Sequence, residues 1–261
     1  MDLGIKDRTA LVLGAGGGLG GAIAAALAAE GARVAVADVS REALDGTAQA
    51  LRRAGAHVLE VPWDLADLDA IDGNVARIEQ ALGPVDILVN NTGGPPPTPA
   101  LGQDAALWLA QFQAMVLSVV KIADRVVPGM RERGWGRVVT SASSGVVAPI
   151  PNLAVSNALR MSLLGWSKTL AREVARDGVT VNVVVPGRIA TGRIRFLDEA
   201  RARRENRSVE EVAAESTASI PAGRYGEPRE YAQAVAFLAS EAASYVTGSV
   251  LRVDGGLIAS V

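Results

Sequence analysis

The run Gly14-Ala15-Gly16-Gly17-Gly18-Leu19-Gly20 follows directly on the short apolar stretch Thr9–Leu13 and leads into an Ala- and Leu-rich segment of helical period. Glycines in that position let the chain turn tightly. They also let an anionic group come close to the amides at a helix N-terminus, where a β-carbon would collide. Twenty residues after Gly18, at the end of the second apolar run, stands Asp38. A strand, a glycine turn, a helix and then an acid at this distance is the pattern that holds a dinucleotide, with the pyrophosphate on the turn and a ribose on the carboxylate. Asp38 would repel a 2′-phosphate, so the spacing predicts NAD in preference to NADP. Arg41 lies three residues further on and is read as a first-turn helix residue facing solvent.

These residues need a scaffold, and the rest of the sequence supplies one. Short apolar runs recur at 9–13, 33–37, 57–61, 87–90, 137–141, 180–185 and 249–253. Helical segments lie between them at 19–29, 43–54, 66–81, 105–133, 154–176 and 229–240. Strands that read as continuous apolar runs are buried on both faces, and strand and helix in alternation give a parallel sheet. The expectation is an α/β chain with one domain over 1–261: a Rossmann fold with a doubly wound parallel sheet of about seven strands and helices on both faces. The polar, Arg- and Glu-rich stretch 191–223 interrupts the alternation and is predicted to be a lid insertion.

Composition narrows the function classes. The 261 residues carry a formal net charge of −2, with 49% apolar side chains, no cysteine and one histidine, His57. Nothing here marks a nucleic-acid partner, and neither a thiolate nor a histidine-cluster metal site can be assembled. No stretch keeps 18 or more apolar residues without interruption, and no charged-then-apolar leader opens the chain. The expectation is a cytoplasmic protein with a small-molecule substrate, no metal and no membrane.

The ordered motifs are similar to those of the short-chain dehydrogenase/reductase family along roughly residues 8–256. Gly14-x-x-x-Gly18-x-Gly20 resembles its TGxxxGxG turn, with Leu13 in place of the usual threonine. Asp64-Leu65 resembles the adenine-contacting dipeptide, and Asn90-Asn91-Thr92-Gly93 the NNAG stretch. Pro186-Gly187-Arg188-Ile189-Ala190-Thr191 resembles the PGxxxT segment that holds the nicotinamide carboxamide. Tyr245-Val246-Thr247-Gly248 and Val253-Asp254-Gly255-Gly256 match the C-terminal signature. The resemblance implies cofactor contacts at Gly14, Gly16, Gly18, Leu19, Gly20, Asp38, Asp64, Leu65, Asn91, Gly93, Asn157, Pro186, Gly187, Ile189 and Thr191, and a homotetramer. The apolar faces of 105–133 and 154–176, wider than one sheet can cover, point the same way.

At the catalytic end this chain departs from the family, which uses a Ser, a YxxxK pair and an Asn to move the proton. The serine role falls on Ser143. The YxxxK positions hold Leu153 and Asn157, and the asparagine position holds Met115. No tyrosine precedes Tyr225, so no shift of register restores the motif. Lys168 is eleven residues beyond Asn157, about 16 Å along a helix. Ser143 is therefore expected to polarise a substrate oxygen and Asn157 to bond the cofactor ribose, with Arg188 near the carboxamide read more readily as a loop arginine facing solvent. The arginines of 191–223 are read as a solvated helix with paired charges, an anionic substrate being the alternative. The function expected is an NAD(P)-dependent oxidoreductase acting on an alcohol or carbonyl with a modified proton relay. The alternatives are an inactive NAD-binding sensor or partner subunit, and a non-redox enzyme that reuses the pocket.

Overall fold

The computed structural model describes residues 2–260. The chain runs β1 (Thr9–Leu13), α1 (Gly18–Ala29), β2 (Arg33–Asp38), α2 (Arg41–Arg53), β3 (Val58–Pro62), α3 (Ala70–Leu82), β4 (Val85–Asn90), α4 (Ala105–Phe112) and α5 (Ser118–Glu132). It continues through β5 (Gly136–Ser141), α6 (Ala154–Val174), β6 (Val179–Pro186), α7 (Gly192–Glu205), α8 (Val209–Ala218), α9 (Pro228–Leu238) and β7 (Val250–Val253). All seven strands are parallel, in the order β3-β2-β1-β4-β5-β6-β7. The order reverses between β1 and β4, which opens a crevice beyond their C-terminal ends.

Successive strand residues point to opposite faces, and both faces are covered. On one side Val12, Val36, Val89, Val139 and Val184 pack against Ile23 and Leu27 of α1, Leu44 of α2 and Tyr231 and Val235 of α9. On the other, Leu11, Leu13, Leu88, Val138 and Val181 meet Val75 and Ile78 of α3, Ile122 and Val126 of α5 and Val174 of α6. By length and composition Ala105–Glu132 could cross a bilayer. Its Val119, Ile122, Ala123, Val126 and Val127 are instead buried within the fold.

The structure departs from the sequence expectation in two places, and it shows the form of the stretch 191–223, expected to be a helical insertion. The third helix begins at Ala70 rather than 66, because Asp64 and Asp67 accept the amides of Ala66 (2.9 Å) and Ala70 (3.3 Å) in successive side-chain turns. The helix expected over 105–133 contains a π turn, Gln113–Leu117, between α4 and α5. The stretch 191–223 is two helices, α7 and α8, whose ends are drawn together where Ala190 N–H donates to Gly226 O (2.8 Å) and Gly226 N–H to Arg188 O (2.9 Å).

One buried polar group ties that pair of helices down. Asp198, on α7, accepts Arg188 Nη1 and the Tyr225 hydroxyl, both at 2.7 Å. Arg188 is thus held by α7 and does not face solvent freely. Burial and the bond to Asp198 push the Tyr225 phenol above its ordinary value. Asp198→Asn leaves Arg188 without its counter-charge and should cost about 1–3 kcal/mol. Limited trypsin digestion should then cut at the arginines of 191–207 several-fold faster than in the parent; an unchanged rate would remove Asp198 as the anchor.

Candidate active site

The glycine turn is shaped by contacts that exclude side chains. Gly14 has φ +58°, and a Cβ on Gly20 would lie 2.0 Å from Gly14 O. Asn91, just past β4, donates through Nδ2 to the carbonyls of Leu13 (3.3 Å) and Gly14 (3.1 Å) and so ties the β4 loop to the turn. Asp38 fixes the other side: Oδ2 accepts Gly16 N–H (2.9 Å) and Oδ1 accepts Ser40 N–H (3.0 Å). Neither tie is visible as a motif in the sequence.

The rim around the turn is open. Nothing lies within 4 Å of where a Cβ would stand on Gly17 or Gly93, and on Gly18 only Thr191 does, at 3.8 Å. The first turn of α1, including Leu19, has no acidic residue, and its N-cap makes no side-chain bond. By contrast α2 is capped by Ser40, α4 by Asp104 and α8 by a Ser208–Glu211 capping box. The free amides at the start of α1 therefore have the geometry and the partial positive charge that suit a pyrophosphate.

The third wall is the segment after β6. Gly187 N–H donates to Val253 O (2.9 Å), and a Cβ on Gly187 would lie 2.5 Å from Asp254 Cα, so Pro186-Gly187 and the C-terminal Val253-Asp254 fit as one unit. Ile189 is buried, and Thr191 caps α7 by accepting Ile194 N–H at 3.4 Å. Asp64 is exposed and Leu65 half-buried beyond β3, at the end of the cleft next to Asp38.

Ser143 and Asn157 are brought together around Gly145. Ser143 Oγ accepts Gly145 N–H at 3.1 Å, and among the described residues its own hydrogen has no acceptor. Asn157 does not present a free amide toward a ribose, as expected from the sequence. Its Nδ2 donates to Ile150 O (2.9 Å), and its Oδ1 is buried without a partner against Gly145. The loop 145–150 has a carbonyl that needs a donor, and Asn157 supplies it. Leu153 is buried, and the loop beside it is tied to 95–99 by Thr98 N–H donating to Asn152 O (2.7 Å) and Ala154 N–H to Thr98 O (3.1 Å).

An apolar group fills the space next to these residues. Met115, in the π turn, packs with Val116, Val119, Val155, Leu159 and Leu163. None of the three tyrosines offers an accessible acid here. Tyr231 is fully buried, donates to Ser141 Oγ (2.8 Å), and its phenol is pushed up by burial. Tyr225 is engaged by Asp198, and Tyr245 is fully exposed. Lys168 Nζ donates to Gly248 O (2.8 Å) and is held there, away from Ser143 and Asn157.

Arg160 was legible only as a neighbour of Asn157 on a helix face. It is buried, and it donates through Nη2 to Gly93 O (2.6 Å) and Thr92 O (3.2 Å) and through Nη1 to Thr92 Oγ1 (3.4 Å). Arg193 donates to Pro95 O (2.7 Å) from the start of α7. Two cations therefore reach the loop that follows β4.

Known proteins share this architecture over its whole extent. The family profile described as Enoyl-(Acyl carrier protein) reductase matches residues 14–258. Nodulation protein G of Azospirillum brasilense is 38% identical over 257 residues, covering 97% of this chain and 99% of that protein. The 3-oxoacyl-[acyl-carrier-protein] reductase of Escherichia coli is 36% identical, covering 98% and 99%. The crystal structure of L-sorbose reductase from Gluconobacter frateurii, complexed with NADPH and L-sorbose, superposes with a TM-score of 0.94 at 32% identity, covering 100% of both chains. With its seven-stranded parallel sheet, its glycine turn at the switch point and this likeness from end to end, the chain belongs to the short-chain dehydrogenase/reductase family.

Proposed function

We propose that this protein is a nicotinamide-dependent oxidoreductase that interconverts an alcohol and a carbonyl with a proton relay lacking the family's tyrosine and lysine. The observation that carries this reading is the open cradle formed by Gly17, Gly18 and Gly93 over the uncapped first turn of α1. Its residues fit the dinucleotide: Gly14, Gly16, Gly18, Leu19 and Gly20 for the pyrophosphate, Asp38 for a ribose, Asp64 and Leu65 for the adenine. Asn91 and Gly93 border the nicotinamide side with Pro186, Gly187, Ile189 and Thr191. When bound, the nicotinamide ring gives hydride to a carbonyl carbon or takes it from an alcohol.

Ser143 directs its hydroxyl hydrogen at the substrate oxygen and stabilises the negative charge that develops there. Asn157 is a positioning residue, which holds the loop after Ser143 through Ile150. Neither group is a general acid near neutrality, so a proton reaches the oxygen from water or from the substrate itself. Positioned acid catalysis contributes ~10²–10⁴-fold, and this chain should be slow on simple ketones by about that factor. The buried Leu153 and the engaged Asn157 favour a second reading, a cofactor-binding protein without turnover.

Cofactor choice rests on Asp38. The NADPH in the L-sorbose reductase structure weighs toward NADP. The carboxylate of Asp38 beside Gly16 weighs toward NAD, because a 2′-phosphate there would meet a negative charge. The proposal is NAD(H), and titration calorimetry with both cofactors should give the lower Kd for NADH. A lower Kd for NADPH would make Arg41 a phosphate ligand and overturn the assignment.

The proton relay is tested by steady-state kinetics on a panel of ketones and alcohols. Ser143→Ala should lower kcat/KM about 10²–10³-fold, and Lys168→Met should leave it unchanged. Tight NADH binding with no turnover of any carbonyl in the panel would favour the second reading.

A homotetramer is proposed from α4 and α6, which lie against each other and leave Leu109, Phe112 and Met161 exposed. Such faces pair about twofold axes. Light scattering should report four chains at micromolar concentration, and a monomer would contradict it.

A further inference from the structure

Arg160 and Arg193 share one small space, and neither has an acidic partner among the described residues. Arg160 is 9% exposed, and its bonds go to two carbonyls and a hydroxyl. Arg193 Nη2 bonds to Pro95 O, with its guanidinium 5.6 Å from the centre of the Phe196 ring. Gly94 lies between them: a Cβ there would meet Arg160 Nη2 at 3.3 Å and Arg193 Nη2 at 3.4 Å.

The contrast with the rest of the stretch is sharp. Arg188 pairs with Asp198, Arg195 with Glu199, Arg201 with Glu205 and Glu215, and Arg207 with Glu205 and Glu215. Within 191–223 the expectation of a solvated helix with paired charges describes Arg195, Arg201, Arg204 and Arg207; Arg193 and the exposed Arg203 have no acidic partner among the described residues, and of these two it is Arg193 that reaches the loop after β4. Carbonyl oxygens solvate a guanidinium without cancelling its charge. Burial and the neighbouring Arg193 hold Arg160 down at about 10, and burial lowers Arg193 as well. A second cation at the mouth of the space raises the cost of the buried Arg160 charge, and an anion placed between the two removes that cost.

The place is informative too. Thr92 and Gly93 follow β4 at the switch point, where the space in front of Gly93 is open, and Ser143 follows the adjacent strand β5. A planar guanidinium with free N–H groups suits a carboxylate or a phosphate. We infer that the substrate carries its own compact oxyanion, a carboxylate or phosphate, which Arg160 and Arg193 clamp so that its reactive carbon lies beside Ser143. The inference rests on the oxidoreductase reading and names the substrate class of that site.

The test uses the full chain saturated with NADH. Malonate and inorganic phosphate are titrated against sodium chloride at matched ionic strength, with the thermal midpoint as readout. One of the two oxyanions should raise the midpoint saturably, and which one does so identifies the oxyanion. Arg193→Met, a change at an exposed helix start, should weaken that effect about 10–100-fold, the loss of one charge-assisted bond. Its NADH Kd should stay within about twofold. Arg160→Lys keeps a buried cation and should show a smaller loss.

The second measurement compares a 2-oxo carboxylate or phosphorylated ketone with its neutral ester. The acid should have a kcat/KM about 10–100-fold higher, and Arg193→Met should abolish the preference. Oxyanions no better than chloride, with NADH still bound, would overturn the inference and leave the oxidoreductase reading standing. Oxyanions that displace NADH, together with weaker NADH binding in Arg193→Met, would assign the two arginines to the cofactor's pyrophosphate and overturn it equally. Absence of binding of both NADH and NADPH would overturn both.

Discussion

The closeness of Gly14 and Gly20 governs how the rest of the site is built. A Cβ at Gly20 would stand 2.0 Å from Gly14 O, so α1 can start against the end of β1 only if neither position has a side chain. That approach aims the first amides of α1 into the crevice where the strand order reverses. Asn91 then bonds the same two carbonyl-bearing residues, Leu13 and Gly14, and brings the loop after β4 into register with the turn. Asp38, Thr191 and the segment from Pro186 take their positions around a point already fixed.

Beside this polar end lies an unusually dry one. A cluster of valines and leucines closes around Met115, next to Leu153 and Asn157. The π turn Gln113–Leu117 carries Met115 into that cluster. π turns gather at functional sites. An apolar wall raises the strength of each remaining electrostatic contact, since fewer dipoles screen it. A single hydroxyl such as that of Ser143, or a buried cation such as Arg160, has more influence there than it would in a wet cleft.

How much of this was legible in the sequence depends on the range of the interaction. The strands were readable because a sheet covered on both faces needs continuous apolar runs, and Thr9–Leu13 was placed to the residue. The glycine turn and Asp38 were readable because their spacing is local. The start of α3 was misplaced because two aspartates turn the chain with side-chain bonds, which leave no mark on hydrophobic period. The π turn was missed because it inserts into a helix whose composition does not change. The bonds of Asn157 to Ile150 and of Arg160 to the Thr92–Gly93 carbonyls were not legible because they are set by tertiary contacts. The pairing of most arginines in 191–223 was anticipated in kind, while the position of Arg193 depends on a loop about a hundred residues earlier in the chain.

Under the proposed NAD(H) assignment, Asp38 would tie ligand selectivity to the scaffold itself. Its two oxygens already hold Gly16 and Ser40, so the carboxylate is fixed in place before any ligand arrives. A ribose that bonds to it loses no rotamer freedom on the protein side. The same economy restricts evolution at this position. Replacing the acid to admit a phosphorylated ribose would also release the amide of Gly16 and loosen the turn, so a change of preference must come with a second residue that restores the acceptor. Change at this position must proceed by paired steps.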